Sequence, residues 1–254
     1  MTSQTEKPNA CAACKDGQEL DFEFTMAFQP IVDMRDQSVF AYEALVRGKD
    51  GSGALGILAR VNEQNRYLFD QKCRVTAVEL AARLGIPCFV SINFLPNAVY
   101  HPATCIRATL EAAARSNFPT DKLIFEITEN ERVVDKHHLK GIMEEYKRQG
   151  FKTAIDDFGS GYSGLNLLAE FQPDIIKLDM DLIRNIDKHP VRQAIVQGIV
   201  GVCQVLGIEI IAEGIESVEE LKFLRTLDIH LFQGYLFAKP GFEHLPEVNW
   251  PSHV

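Results

Sequence analysis

Five carboxylates and one lysine recur at one kind of place in this chain. Glu43, Glu126, the adjacent pair Asp156 and Asp157, and Glu213 each stand at or just past the end of a short apolar run, as do Asn93, Lys177 and Gln233. If those runs converge, five negative charges meet a single ammonium. Like charges a few ångströms apart cannot all stay ionised, so most would be forced to protonate. Two divalent cations, together with Lys177, balance the five carboxylates. Oxygen donors with one Asn amide and no thiolate select a hard ion, Mg²⁺ or Mn²⁺. The neighbouring Asp pair suits a bridged centre, Asp156 touching both ions at the ~3.5–4 Å spacing of two-metal hydrolases. Successive strand residues point to opposite faces, so Asp157 is expected where its strand already turns into a loop. Two-metal sites mostly serve phosphoryl transfer and hydrolysis, which points to a phosphoesterase.

The elements that must position these residues show in the hydrophobic pattern. Strand-like runs fall at 26–32, 39–46, 89–94, 123–127, 153–157, 175–178, 208–212 and 231–237. Helix-like stretches fall at 58–84, 102–116, 136–149, 162–170, 182–206 and 217–227. Ser217 with Glu220 reads as a capping box, and Gly85, Gly150 and Gly207 read as helix C-terminal caps. Strand and helix alternate about eight times, the rhythm of an α/β chain with a parallel sheet. At this length, that favours a closed (β/α)8 TIM-like barrel. Only a short turn separates the first two strands, so this pair is expected to be antiparallel and the barrel irregular there. Residues 1–20 are polar and patternless and read as a flexible arm; 21–254 read as one barrel domain. Barrel enzymes build their sites from the C-terminal ends of several strands. Here those ends carry Glu43 (with Arg47 shortly after), Asn93, Glu126 with Glu129, Asp156–Asp157, Lys177 with Asp179, Glu213 with Glu216, and Gln233. That is more convergence than solvation requires.

Composition sets outer bounds. The 254 residues are 46% hydrophobic and 24% charged, which excludes disordered and low-complexity classes. A net charge of −9 without a Lys/Arg block argues against a nucleic-acid polymer as partner and against a membrane-surface helix. The N-terminus has no basic and apolar signal-peptide pattern, and the most apolar long stretch, 194–212, is interrupted by Gln197, Gln204 and Glu209, so no membrane span is expected. Six cysteines without a secretory signal suggest free thiols and a cytoplasmic location. Cys11 and Cys14 form a lone C-x-x-C, half of a zinc site or a redox pair, with no second pair to complete four ligands.

Several motifs together resemble the EAL-domain cyclic-di-GMP phosphodiesterases. They are F-Q-P-I-V from Phe28, Tyr42-Glu43-Ala44-Leu45-Val46-Arg47, E-I-T-E from Glu126 to Glu129, and D-D-F-G-S-G-Y-S from Asp156. K-L-D at Lys177, A-E-G-I-E from Ala212 and Q-G-Y at Gln233 continue in the same order, so the likeness spans about residues 22–242. It implies metal-dependent hydrolysis of cyclic di-GMP to linear pGpG. It also implies Glu43, Asn93, Glu126 and Asp156 as ligands of one ion, and Asp156, Asp157 and Glu213 as ligands of a second. Lys177 would be the catalytic lysine acting on the attacking water. Glu129 and Glu216 would support the site from behind, the former by steadying the loop from Phe158. Gln29, Leu45 and Arg47 would contact substrate, and Gln233 would hold a water or the substrate. A homodimer is implied. The sequence shows no cyclase G-G-D-E-F motif and no sensory segment, so any regulatory input is expected from a separate sensory or regulatory protein or through the N-terminal arm.

Departures from the family pattern lie at Ser160, where Thr is usual, at Gly164, where Ser is usual, and in residues 48–65, which lack the usual Trp-His-Pro stretch. Gly51-Ser52-Gly53-Ala54-Leu55-Gly56 and Asp157-Phe158-Gly159 mimic kinase motifs, but no V-A-I-K lysine or H-R-D loop accompanies them. His137 and His138 sit among charges and are expected to face solvent. Two rivals remain. A non-catalytic cyclic-di-GMP receptor or protein-interaction module would have lost ligands, and all are present here. A glycosidase would need an acid/base pair and aromatic sugar platforms, and the single Trp lies at position 250.

Overall fold

The computed structural model describes residues 19–99, 101–129, 136–161 and 164–252. Its strands are β1 (Phe24–Asp33), β2 (Ser38–Gly48), β3 (Phe89–Asn93), β4 (Leu123–Thr128), β5 (Lys152–Phe158), β6 (Ile175–Leu178), β7 (Glu209–Ala212), β8 (Leu231–Phe232) and β9 (Gly241–Phe242). From β2 to β8 the strands lie side by side in chain order and parallel. β1 runs antiparallel to both β2 and β8, and its pairing with β8 (Val32↔Phe232, Asp33↔Leu231) closes the barrel. The (β/α)8 barrel with an antiparallel first pair therefore forms as the sequence implies. β9 adds antiparallel to β1 through Ala27↔Phe242 and Phe28↔Gly241.

Boundaries differ where local chemistry outweighs the apolar pattern. The helix expected over 58–84 is two, Ala54–Leu58 and Arg66–Arg83. Between them Asn62 Oδ1 accepts from Gln64 N and Asn65 Oδ1 from Asn62 N, so side chains take backbone bonds a helix would need. The stretch 182–206 breaks into Met180–Ile183, a 3₁₀ turn Ile186–Lys188 and Pro190–Leu206. Asn185 is left-handed at φ +54°, and Pro190 starts the last helix, where its missing N–H costs nothing. The eighth strand is Leu231–Phe232, shorter than the expected 231–237; beyond it Gln233 still exchanges backbone bonds with Ala212 and Ile215, and Gly234 lies so close to Ile215 that an added Cβ would be 2.1 Å from its carbonyl oxygen. The Ser217–Glu220 capping box is present, and Gly85, Gly150 and Gly207 all have left-handed backbone. Cys11 and Cys14, nearly all of the expected arm, and Tyr162 and Ser163 lie outside the described residues.

Inside the barrel, one apolar layer sets the floor of the site. Ile31, Ala41, Ile124, Ala154, Ile175, Ile211 and Leu231 form a separate buried cluster, one residue from each of seven strands. Side chains on a strand return to the same face every two residues. Two residues further toward the mouth stand Glu43, Glu126, Asp156, Lys177, Glu213 and Gln233, and, because β1 runs backwards, Gln29 two residues before Ile31. The polar ring is thus the layer stacked on the apolar floor. This also corrects one expectation: Glu43 stands in the middle of β2, which continues five residues past it to Gly48 along β1.

The Asp pair escapes strict alternation through a β-bulge. β5 pairs Ile155 with Ile176 and then Phe158 with Leu178, so Asp156 and Asp157 both face the single residue Lys177. Asp157 takes φ +53°, a left-handed backbone that an Asp tolerates and a β-branched residue does not. Both Asp157→Gly and Asp157→Val remove the carboxylate. The valine variant is expected to be ~1–2 kcal/mol less stable than the glycine variant in urea unfolding. Equal stability would show that the bulge imposes no left-handed constraint.

Candidate active site

Lys177 lies at the centre of the ring and is 1% exposed. Its Nζ is 2.7 Å from Glu213 Oε1, 3.0 Å from Glu126 Oε2, 3.0 Å from Asp156 Oδ1 and 3.3 Å from Glu43 Oε2. A buried ammonium is costly unless its donors are matched, and here four carboxylates surround it. The carboxylates fare worse. Burial pushes the Glu126 carboxyl up to about 8, with Glu43 and Asp156 adding to the shift and Lys177 opposing it. Burial, then Asp156 and Asp179, raises Asp157 to about 6. Burial also holds Glu213 well above the carboxylate range. Five acids against one ammonium leave an excess that only protons or cations can neutralise.

The donor geometry suits cations. Among the described residues, two carboxylate triplets offer ligand atoms within 4.8 Å of one another: Glu43, Glu126 and Asp156, and Asp156, Asp157 and Glu213. Asp156 belongs to both. Its Oδ1 is buried and, although close to the Lys177 ammonium, receives no well-aligned hydrogen bond. Asn93 Nδ2 donates to Glu43 Oε1 at 3.0 Å, which leaves its amide oxygen for another partner. The residues present therefore fit a pair of hard divalent ions.

Around this ring the neighbours fix the carboxylates. Gln233 Nε2 donates to Glu43 Oε2 at 2.8 Å and to Gln29 Oε1 at 3.3 Å, while its own Oε1 is buried without a donor among the described residues. Gln29 Nε2 donates to Ala238 O. Glu129 accepts the backbone N–H groups of Gly159, Gly161 and Gly164, so one carboxylate gathers the loop after β5. An added Cβ on Gly164 would press within 3.2 Å of that carboxylate and 2.9 Å of the Phe158 ring. Glu216 is at the rim, its carboxylate held by both Arg184 terminal nitrogens at 2.7 Å.

Not every sequence-expected residue reaches the same cavity. The mouth, about 310 Å³, is lined by Gln29, Glu43, Asp156, Asp157, Lys177, Glu213, Glu216 and Gln233. Leu45 and Asn93 line an adjoining, largely apolar cavity of about 260 Å³. Arg47 shares the face of β2 with Glu43 and Leu45 and donates to Val46 O at 2.7 Å. Ser91 was missed. It donates to Glu126 Oε1, and its place two residues before Asn93 on β3 was the available signal. Met180, Gly214 and Tyr235 also line the mouth, and nothing in their types announced it. His138 is half-buried against Val99 O rather than facing solvent.

The EAL domain family model matches residues 15–240. The chain belongs to that family. A crystal structure of a standalone versatile EAL protein from Vibrio cholerae O395, in its c-di-GMP-bound form, is 58% identical with a TM-score of 0.88, covering 91% of this chain and 98% of that one. The manganese and cyclic-di-GMP complex of Klebsiella pneumoniae BlrP1 is 35% identical with a TM-score of 0.85, covering 92% of this chain and 60% of that one. The blue light- and temperature-regulated antirepressor BluF of Escherichia coli K12 is 33% identical over 227 residues, 89% of this chain and 56% of BluF. Other curated relatives are named cyclic di-GMP phosphodiesterases. The EAL chain spans about half the length of the first curated relatives it matches.

The charge excess has a measurable consequence for this EAL domain. In the metal-free folded chain Asp157 and Glu126 keep protons that the unfolded chain releases near their ordinary values of 3.8 and 4.5. A folded-state pKa above the unfolded one contributes stability that is full below the unfolded value and is lost as pH rises through the folded value. Metal-free stability is therefore expected to fall between about pH 4 and pH 8, through Asp157 first and Glu126 last. Mn²⁺ should restore it at pH 8 by binding the folded state alone. Urea unfolding at pH 5 and pH 8, with and without Mn²⁺, checks this; equal metal-free stability at both would refute it.

Proposed function

We propose that this chain hydrolyses cyclic di-GMP to linear pGpG with two divalent cations, Mg²⁺ or Mn²⁺, and so terminates a cyclic-di-GMP signal. The observation that carries the reading is Asp156, shared by both carboxylate triplets beside a wholly buried lysine. Support comes from the dinucleotide and manganese complexes of EAL relatives and from the phosphodiesterases among the curated ones.

Glu43, Asn93, Glu126 and Asp156 are the proposed holders of one ion, and Asp156, Asp157 and Glu213 of the other. When bound, such ions would lower the pKa of the attacking water and offset the charge that develops on the phosphoryl oxygens. Lys177, held as an ammonium by the carboxylates around it, is proposed to orient the attacking water. Gln233, whose amide oxygen has no donor among the described residues, is proposed to accept from that water or from substrate. Gln29, Leu45 and Arg47 are proposed substrate contacts, Arg47 offering the planar fork that matches a phosphate. Glu129 is proposed to keep the loop after β5 in register with Asp157, and Glu216 to buttress the rim from its pair with Arg184.

A second reading, a non-catalytic receptor or protein-interaction module, has one observation in its favour: a relative named as an antirepressor. Turnover separates the two. Metal-stripped protein is expected to produce pGpG only after Mg²⁺ or Mn²⁺ is added. Lys177→Ala is expected to lose ~10²-fold or more in kcat while still binding cyclic di-GMP. Tight binding by the unaltered chain without product, under either metal, would establish the receptor reading instead.

We further propose a cytoplasmic homodimer whose regulatory input, if any, comes from a separate protein or through the N-terminal arm. Among the described residues no helix is long and apolar enough to cross a membrane. The helix Pro190–Leu206 exposes Val191, Ile195, Val202 and Val205, the last at 87%, along one face. Ile195 and Val202 border a groove of about 800 Å³ that also reaches Glu129 and Gly164. A stripe this apolar on a water-facing helix is what a second copy would cover. Light scattering should give twice the chain mass, and Ile195→Glu should give one; a monomeric parent protein would refute the proposal.

A further inference from the structure

One buried ion pair is used by none of the roles above. Asp70 and Arg74, on successive turns of the helix Arg66–Arg83, are 2% and 1% exposed. Arg74 Nη2 lies 2.9 Å from Asp70 Oδ2. Arg74 is anchored in turn by Nη1 donating to the Tyr146 hydroxyl at 3.1 Å and Nη2 to Cys105 O at 3.5 Å. The other carboxylate oxygen, Asp70 Oδ1, accepts the backbone N–H of Leu95 at 2.8 Å.

Leu95 is two residues past Asn93, on the turn by which the chain leaves β3. Asn93, Phe94 and Leu95 border the apolar cavity of about 260 Å³ on one side, while the Phe94 ring packs into the core against Phe125 and Tyr146. Two backbone donors fix the course of the main chain there: Phe94 N donates to Glu126 O at 3.0 Å, and Leu95 N donates to Asp70. One anchor is the main chain of a proposed ion holder on β4. The other is a side chain fixed from behind by Arg74 and Tyr146.

We infer that Asp70 is a positioning residue for the Asn93 ion position, its carboxylate pinning Leu95 N–H so that the Asn93 amide stays turned toward Glu43, with Arg74 and Tyr146 bracing it. This rests on the proposed two-ion reading. It differs from a merely stabilising role because removing the acceptor for Leu95 N–H should loosen one ion position and spare the other, which Asp157 and Glu213 frame from β5 and β7.

Asp70→Leu/Arg74→Met tests it in the full chain. Replacing a buried ion pair with apolar groups of similar volume is often neutral or stabilising. The fold is therefore expected to persist while Leu95 N–H loses its acceptor. Mn²⁺ binding, followed by the electron paramagnetic resonance of the free ion, should show two sites in the parent protein. In the variant one site should weaken tenfold or more and the other should hold. Unchanged affinity at both sites overturns the inference. Asp70→Asn covers the case in which the double variant fails to fold: it keeps an acceptor for Leu95 N–H while breaking the ion pair. It should therefore unfold at lower temperature yet retain both Mn²⁺ sites; loss of a site in folded Asp70→Asn would also overturn the inference. Amide hydrogen exchange reads the pin without metal, and the Leu95 N–H should exchange at least tenfold faster in the double variant. Unchanged exchange refutes the pin. A parent protein that binds no Mn²⁺ yet protects this amide faults the two-ion reading and leaves the pin standing.

Discussion

An ammonium sealed from water at the centre of four carboxylates sets the terms for the rest of the barrel mouth. Lys177 cannot be moved outward without leaving the fully buried Glu126 charge uncompensated, nor can Glu126 and Glu213 be moved away without stranding it. Each member is held in place by the others' desolvation. Yet the ring remains short of positive charge, and that shortage is a standing demand for hard cations. The surrounding amides and hydroxyl answer a different need. Asn93, Gln233 and Ser91 each donate to a carboxylate of the ring, fixing its direction without altering its net charge.

The site was legible in the sequence to the extent that it follows the two-residue repeat of strands. Ala41 precedes Glu43, Ile124 precedes Glu126, Ala154 precedes Asp156, Ile175 precedes Lys177 and Ile211 precedes Glu213, always by the same step. An apolar residue that fills a barrel floor and a polar one above it leave this signature in one dimension. Gln29 follows the rule in reverse because its strand does. The motifs shared with the EAL family supply the order of strands, and the resemblance then supplies roles that periodicity alone would not assign.

What stayed hidden depends on contacts between segments distant in the chain. The bulge that brings Asp157 beside Asp156 is a mismatch between β5 and β6, and no pattern within β5 reveals it. The pin from Asp70 to Leu95 joins residues 25 positions apart across a helix and a turn. Apolar periodicity also ran helices together over 58–84 and 182–206, because it does not register Asn side chains that capture backbone groups, a left-handed Asn185, or a proline that begins a new helix. In each case a local hydrogen bond or dihedral overrode a hydrophobic pattern that would otherwise have continued.

The reversed first strand has a consequence for traffic through the molecule. In a barrel made only of parallel strands, the chain enters at the end opposite its active site. Here β1 starts opposite the far end of β2, at Phe24↔Gly48, and descends past Gln29 toward the floor. The entering chain therefore arrives on the side of the carboxylate ring. Asp21 is already tied to Arg60 there, and Phe22 rests against Phe69, whose own side chain lines the cavity beside Asn93. A pull or twist applied to the polypeptide upstream of the barrel is delivered at the rim of the mouth, without having to cross eight strands of packed core.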